Sequence, residues 1–178
     1  MLQIDPLKRP PNAKLELAGS KSITNRALLI AALAEGRSTL SRALFAEDTL
    51  AMINCLQAFG IDIKHDHTTA TIAINGSGGE LETPQEELWV RQSGTTARFI
   101  LPLSALVKAP IEVDGDNQIR SRPQHDLLLA LNELGVDITH NGEMGHLPLT
   151  IDGSNLTVTD ISISGETSSQ YLSALLLV

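Results

Sequence analysis

The chain has 178 residues, 42% of them hydrophobic and 19% charged, enough for one good core or two small ones. Its net charge of −8 argues against nonspecific nucleic-acid binding, and aromatic residues at 3% leave the core to Leu, Ile, Ala and Val. The single cysteine, Cys55, excludes an internal disulfide and suits a reducing cytosol, while residues 1–11 carry no signal-type run and the apolar run 27–34 is too short to cross a bilayer. These features together predict a cytoplasmic protein with no membrane association.

Residues 1–12 read as a Pro-rich extended segment. A strand is predicted over 13–18 from the alternation of Leu15 and Leu17, followed by a turn at Gly19-Ser20-Lys21-Ser22 and a helix from Ser22 to Ala34, ended by Gly36. A strand over 38–44, a helix from Glu47 to Phe59 stopped by Gly60, and a hairpin of 61–64 with 70–74 complete a first unit. Asp48 reads as a helix cap. The order then recurs: a strand over 88–90, a turn at Ser93-Gly94-Thr95, a helix over 96–107, a strand over 111–113, a helix opened by Pro123 and stopped by Gly135, and a second hairpin of 136–139 with 147–151. A third copy begins with a strand over 161–164, a turn over 165–168 and an apolar helix from Tyr171 to Val178.

Two features identify a repeat rather than a run of unrelated strand–turn–helix units. Phe59-Gly60-Ile61-Asp62-Ile63 and Leu134-Gly135-Val136-Asp137-Ile138 are near-copies, and Arg26, Arg98 and Gln170 fall at equal offsets of 72 (98 − 26 and 170 − 98). The predicted fold is α/β: βαβαββ units around a pseudo-threefold axis, repeat 1 spanning 13–79, repeat 2 spanning 86–153, and a truncated repeat 3 starting at 154–178. Because Leu172, Leu175 and Leu176 lack the packing partners such a unit would give them, the expectation is that the chain is a piece of a longer protein or one half of a split one.

The first turn is the most informative stretch. A helix start presents backbone N–H groups without partners and a partial positive charge, both of which favour an anion. Lys21 and Arg26 add full charges, Ser22 and Thr24 add hydroxyls, and Ser22 and Arg26 lie about one helical turn apart. Read alone, the same residues also fit a serine cap with two solvated cations. A nucleotide P-loop is excluded, since Lys14 stands where its first glycine belongs. Across this acidic chain, Lys21, Arg26, Arg91, Arg98, Arg120 and Arg122 gather near turns and helix starts, which points to small anions. Cys55 sits in an apolar helix pattern with no reactive partner near it in sequence and reads as a core residue. His125 reads as structural, no metal partner having suitable spacing.

Four ordered motifs resemble 5-enolpyruvylshikimate-3-phosphate synthase, an enolpyruvyl transferase: 19–27 (Gly-Ser-Lys-Ser-Ile-Thr-Asn-Arg-Ala), Ser93-Gly94-Thr95-Thr96-Ala97-Arg98, Arg120-Ser121-Arg122-Pro123, and Ser168-Ser169-Gln170-Tyr171-Leu172. The resemblance runs from about Ala13 to Val178 and matches the N-terminal portion of a family about twice as long. It implies the enolpyruvyl transferase fold and transfer of the enolpyruvyl group of phosphoenolpyruvate (PEP) to the 5-hydroxyl of shikimate-3-phosphate, with release of phosphate. This is a step of aromatic amino acid biosynthesis that needs no metal or organic cofactor. By the same resemblance Lys21 is the catalytic lysine contacting both substrates. Ser22, Arg26, Ser168, Ser169 and Gln170 hold shikimate-3-phosphate, and Gly94, Arg122 and Gln170 face PEP, where the herbicide glyphosate also fits. Arg98 supports the fold through buried hydrogen bonds. Gln92, Ser93 and Phe99 stand where many members have asparagine, alanine and proline. The expected partner is the C-terminal half of the same enzyme, which carries the proton-handling acids. Two other readings remain: a non-catalytic domain binding a phosphorylated sugar acid or another chain, and the sister transferase acting on UDP-N-acetylglucosamine. The sister enzyme normally has Ala-Lys-Asn in place of Ser20-Lys21-Ser22 and a reactive loop cysteine that Cys55 does not match.

Overall fold

A computed structural model describes residue 6 and residues 8–157, 159–163 and 168–178. The order of elements is α1 (Lys21–Leu33), β1 (Glu35–Ser41), α2 (Glu47–Ala58), β2 (Asp62–Asp66), β3 (Thr71–Ser77), β4 (Leu88–Trp89), α3 (Gly94–Ser104), β5 (Pro110–Asp114), α4 (Asn117–Arg120), α5 (His125–Glu133), β6 (Asp137–His140), β7 (Leu149–Asp152) and α6 (Ser169–Leu176).

The repeat is visible in the sheets. The first has strand order β1-β3-β2 and the second β4-β5-β7-β6, so that β5-β7-β6 reproduces the first sheet and every pair within both sets of three is antiparallel. In each central strand alternate residues, Ile72 and Ile74 in β3 and Leu149 and Ile151 in β7, point into one continuous core shared with the helices. Helix α3 packs against α1, α2 and α6, which brings together the first helices of the three units.

The near-copy peptides have a common physical reason. After α2 and α5 the chain turns through Gly60 and Gly135, both with left-handed φ (+85° and +81°). The N–H of Gly60 donates to Gln57 and that of Ile61 to Leu56; in the second unit Gly135 donates to Asn132 and Val136 to Leu131. This double closure satisfies the last helical carbonyls, and only glycine takes that φ without cost. The aspartate that follows binds an asparagine each time: Asn75 Nδ2 donates to Asp62 at 2.6 Å and Asn155 Nδ2 to Asp137 at 2.7 Å.

Several expectations are corrected. Residues 13–18 form no strand; Leu15 and Leu17 are each 80% exposed, and no described residue supplies the neighbouring backbone a strand requires. In the second unit β4 does find that neighbour, pairing parallel with β5. Residues 161–163 are likewise not strand, and Ser164 with most of the predicted turn at 165–168 lies outside the described residues. Pro123 does not open α5, which starts at His125 behind Gln124. The first helices begin at Lys21, Gly94 and Ser169, offsets of 73 (94 − 21) and 75 (169 − 94), so the equal spacing of Arg26, Arg98 and Gln170 is not the helical register.

Gly76 and Gly153 occupy equivalent places, where a hairpin strand crosses the end of the unit's first helix. A Cβ on Gly76 would collide with the carbonyl oxygens of Ala31 and Ala34, and one on Gly153 with those of Ala105 and Val107. The obstacle is backbone and cannot rotate away. Gly76→Ala and Gly153→Ala should each destabilise the chain by about 2–3 kcal/mol, measured by urea denaturation. Gly79→Ala, whose Cβ meets nothing within 4 Å but whose φ is +90°, should cost about 1 kcal/mol from backbone strain alone.

Candidate functional site

The three first helices start the same way. Ser20 Oγ accepts the N–H of Ile23 (3.4 Å), Ser93 Oγ that of Thr96 (3.2 Å) and Ser168 Oγ that of Gln170 (3.2 Å). Each serine satisfies one donor of the first turn and leaves others for an outside acceptor. Ser93 also shares a 2.7 Å hydroxyl contact with Thr96.

Lys21 is the first residue of α1, and its ammonium lies 2.9 Å from Asp48, with the lysine side chain 48% exposed. Asp48 is therefore not the cap of α2. That position belongs to Ala46, whose N–H donates to Thr49 Oγ1 at 2.9 Å. Asp48 instead joins two helix starts, since its carbonyl accepts the Thr96 hydroxyl at 3.0 Å while its carboxylate faces Lys21. An ammonium has three donors, so the ion pair leaves Lys21 able to reach a ligand.

At the start of α3, Gly94 is packed against cations. Arg122 Nη1 lies 3.1 Å, and Arg98 Nη1 4.0 Å, from the point a Cβ on Gly94 would occupy. Arg98 Nη1 donates to Gln170 Oε1 at 2.6 Å, and its guanidinium sits 5.0 Å from the Tyr171 ring centre. Arg98 Nε is buried with no partner among the described residues. Arg26 donates to the Ser22 carbonyl (3.3 Å) and to Ser173 of α6 (3.4 Å), with its guanidinium 5.4 Å from the ring centre of Phe99.

The predicted residues thus fall into linked groups. Gly94, Arg98, Arg122 and Gln170 meet directly. Lys21 joins them through Asp48 and Thr96, and Ser22 and Arg26 join them through Ser173. Ser169 is the exposed first residue of α6, next to the cap Ser168. Two cations of the expected anion set are otherwise engaged: Arg91 pairs with Glu47, and Arg120 grips Asp114 with Nε at 2.9 Å and a second contact from Nη2. Asp114, Tyr171, Gln124 and Asn25 were not singled out from sequence. Asn25 is fully buried with both amide atoms unpartnered among the described residues, and it follows Lys21 by four positions on the same helical face. Its place inside the first motif was the available signal.

Among the described residues no group of three His, Cys, Asp or Glu is placed to hold a metal ion, and no helix is long and apolar enough to cross a membrane. An apolar groove of about 440 Å³ lies away from the cations, lined by Leu106, Leu131, Leu156, Leu172 and Leu176 among others.

One βαβαββ unit, preceded by an αβαββ unit that lacks its leading strand and followed by a third first helix, with all three first helices serine-capped and converging on lysine and arginine, defines an enolpyruvyl transferase-type fold. Comparison with known proteins carries this to a family: the model for EPSP synthase (3-phosphoshikimate 1-carboxyvinyltransferase) matches residues 8–178, and the chain belongs to that family. It is 42% identical over 177 residues to the 3-phosphoshikimate 1-carboxyvinyltransferase of Trichormus variabilis, covering 99% of this chain and 42% of the relative. It is also 42% identical over 178 residues to that of Rhizobium leguminosarum, covering 99% and 41%. A solved EPSP synthase from Acinetobacter baumannii superposes with a TM-score of 0.84 at 28% identity, over 93% of this chain and 37% of that one. The chain therefore spans about two fifths of the length of the relatives it matches.

Cys55 is a core residue, as expected. It is 2% exposed, its thiol faces the Trp89 carbonyl at 3.9 Å, and burial pushes its pKa up to about 12. At pH 8 only about one thiol in ten thousand would be ionised even if reagent could reach it. Ellman's reagent should leave the native chain unlabelled over hours at that pH and titrate one thiol in guanidinium chloride.

Proposed function

We propose that this chain supplies part of the site of a 3-phosphoshikimate 1-carboxyvinyltransferase, transferring the enolpyruvyl group of PEP to shikimate-3-phosphate with release of phosphate. The observation that carries the reading is the approach of Arg122 and Arg98 to Gly94 beside Gln170, at the starts of two capped helices. Both substrates are polyanions, and the adduct between them is charged, so fixed cations and backbone donors are what the step requires. Lys21 serves both substrates; Ser22, Arg26, Ser168, Ser169 and Gln170 hold shikimate-3-phosphate; Gly94, Arg122 and Gln170 hold PEP. Arginine suits these anions because its planar fork makes two parallel hydrogen bonds. Gly94 leaves the space a small substrate needs, since any side chain there would already press on Arg122.

The repeats are assigned to 13–79, 86–153 and from 154 onward, in a cytoplasmic protein. The acids that move protons lie in the three fifths of the relatives' length that this chain does not span, and that part packs against the residues described above. The apolar groove beside α6 supports this reading, because Leu176 is 73% exposed there and Leu172 43%. The relatives' names favour shikimate-3-phosphate over UDP-N-acetylglucosamine.

Shikimate-3-phosphate at a hundredfold excess over its Kd should stabilise the chain by about 2.7 kcal/mol, and UDP-N-acetylglucosamine should not; a thermal melt reads both, and the reverse order would assign the sister reaction. Mixing the chain with the C-terminal part of the Trichormus variabilis relative should give phosphate release from PEP that neither piece gives alone. Arg26→Ala should lower that rate by about a hundredfold or more with little change in melting temperature. Full turnover by the unmixed chain would refute the placement of the acids.

A further inference from the structure

Arg122 is carried by backbone with no regular structure. Helix α4 ends at Arg120 and α5 begins at His125, so no helical ladder fixes the segment between them. Individual hydrogen bonds do so instead. The Arg122 N–H donates to Ile119 (3.0 Å), Gln124 Nε2 donates to the Arg122 carbonyl (3.1 Å), and the Gln124 N–H donates to Gly145 (2.8 Å). The fourth comes from another unit: the Tyr171 hydroxyl of α6 donates to the Pro123 carbonyl at 2.8 Å, across 48 residues of sequence.

Tyr171 is 1% exposed and is among the largest fully buried side chains of the chain. Its ring lies under the Arg98 guanidinium, and its neighbour Gln170 accepts from Arg98. One turn of α6 therefore holds both arginines that approach Gly94, Arg98 by its side chain and Arg122 by its backbone. A long arginine side chain has many rotamers, and fixing the peptide at its base removes part of the freedom it would otherwise lose on binding an anion. Phenylalanine would fill the same volume; what tyrosine adds is a donor on the carbonyl next to Arg122.

We propose that Tyr171 is a positioning residue whose hydroxyl sets the Arg122–Pro123 peptide so that the Arg122 guanidinium faces Gly94, tightening the hold on PEP without touching it. The proposal rests on the assignment of Arg122 to PEP given above. It assigns no such role toward shikimate-3-phosphate, whose ligands Ser168 and Ser169 precede Tyr171 and keep their cap.

The test compares the wild-type chain with Tyr171→Phe, which keeps the ring and its packing. Two readouts are taken: 15N relaxation of the Arg122 Nε–H without ligand, and calorimetric titration with PEP and, separately, shikimate-3-phosphate. The expected result is a more mobile Arg122 Nε–H, PEP affinity lower by about three- to tenfold, and shikimate-3-phosphate affinity within about twofold. An Arg122 Nε–H with unchanged relaxation overturns the proposal, and so does equal weakening of both ligands, which would mark a general packing effect. If neither ligand binds the wild-type chain, the functional assignment fails, and the ligand-free comparison decides the positioning role by itself.

Discussion

The structure depends on how a cluster of like charges is held together. Arg98 Nη1 and Arg122 Nη1 lie within 4.0 and 3.1 Å of a single point above Gly94, so they are at most 7.1 Å (4.0 + 3.1) apart. At that separation and an effective dielectric near 20, two unit charges repel by about 2 kcal/mol. The chain offsets this without neutralising the charges. Arg98 rests on the Tyr171 ring and an amide oxygen, and Arg26 on the Phe99 ring and neutral oxygens. Ring faces and carbonyls attract a cation but leave its full charge in place. Arg91 and Arg120, by contrast, are set against carboxylates. The arginines divide into those that tie the fold and those that remain available for anions.

Lys21 stands between the two groups. Its partner Asp48 cancels much of its charge at a distance, yet the same aspartate anchors Lys21 to the start of α3 through the Thr96 hydroxyl. The pairing spaces two helix starts that have no covalent reason to be adjacent. The repeat supplies the rest of that geometry. The first two units each end their second helix through a left-handed glycine and cross their first helix with a glycine whose Cβ would collide with backbone, so the same two contacts fix the first helix in both.

Much of this was legible in the sequence because it rests on local chemistry. Capping serines, stop glycines and apolar alternation are short-range signals, and they located α1, α2, α3 and both hairpins to within a few residues. The misreadings fall where a long-range partner decides. Leu15 and Leu17 alternate as a strand should, but alternation does not provide the neighbouring backbone. Pro123 resembles a first helical residue, yet its carbonyl is taken by Tyr171 and the helix begins two residues later. Asp48 has the composition of a cap and spends its carboxylate on Lys21 instead. The equal offsets of Arg26, Arg98 and Gln170 were a coincidence of numbering, although the residues do converge: Gln170 reaches Arg98 from the second position of its helix. The hydroxyl of Tyr171 could not be read at all, since nothing local distinguishes a tyrosine that bonds a distant carbonyl from one that fills a core.

Helix α6 shows why the two faces of the molecule cannot be treated separately. Its eight residues present Gln170, Tyr171 and Ser173 to the arginines, and Leu172, Leu175 and Leu176 to the apolar groove. An isolated helix of this length is unstable in water and takes its position from what it packs against. Its polar contacts reach all three arginines near Gly94 and α1, directly or through the backbone. A shift of α6 toward or away from the groove would therefore move Gln170 relative to Arg98 and the Tyr171 hydroxyl relative to Pro123. The contacts that place the apolar side chains of α6 and those that place its polar ones fix the same short element, and neither face can be repacked without displacing the other.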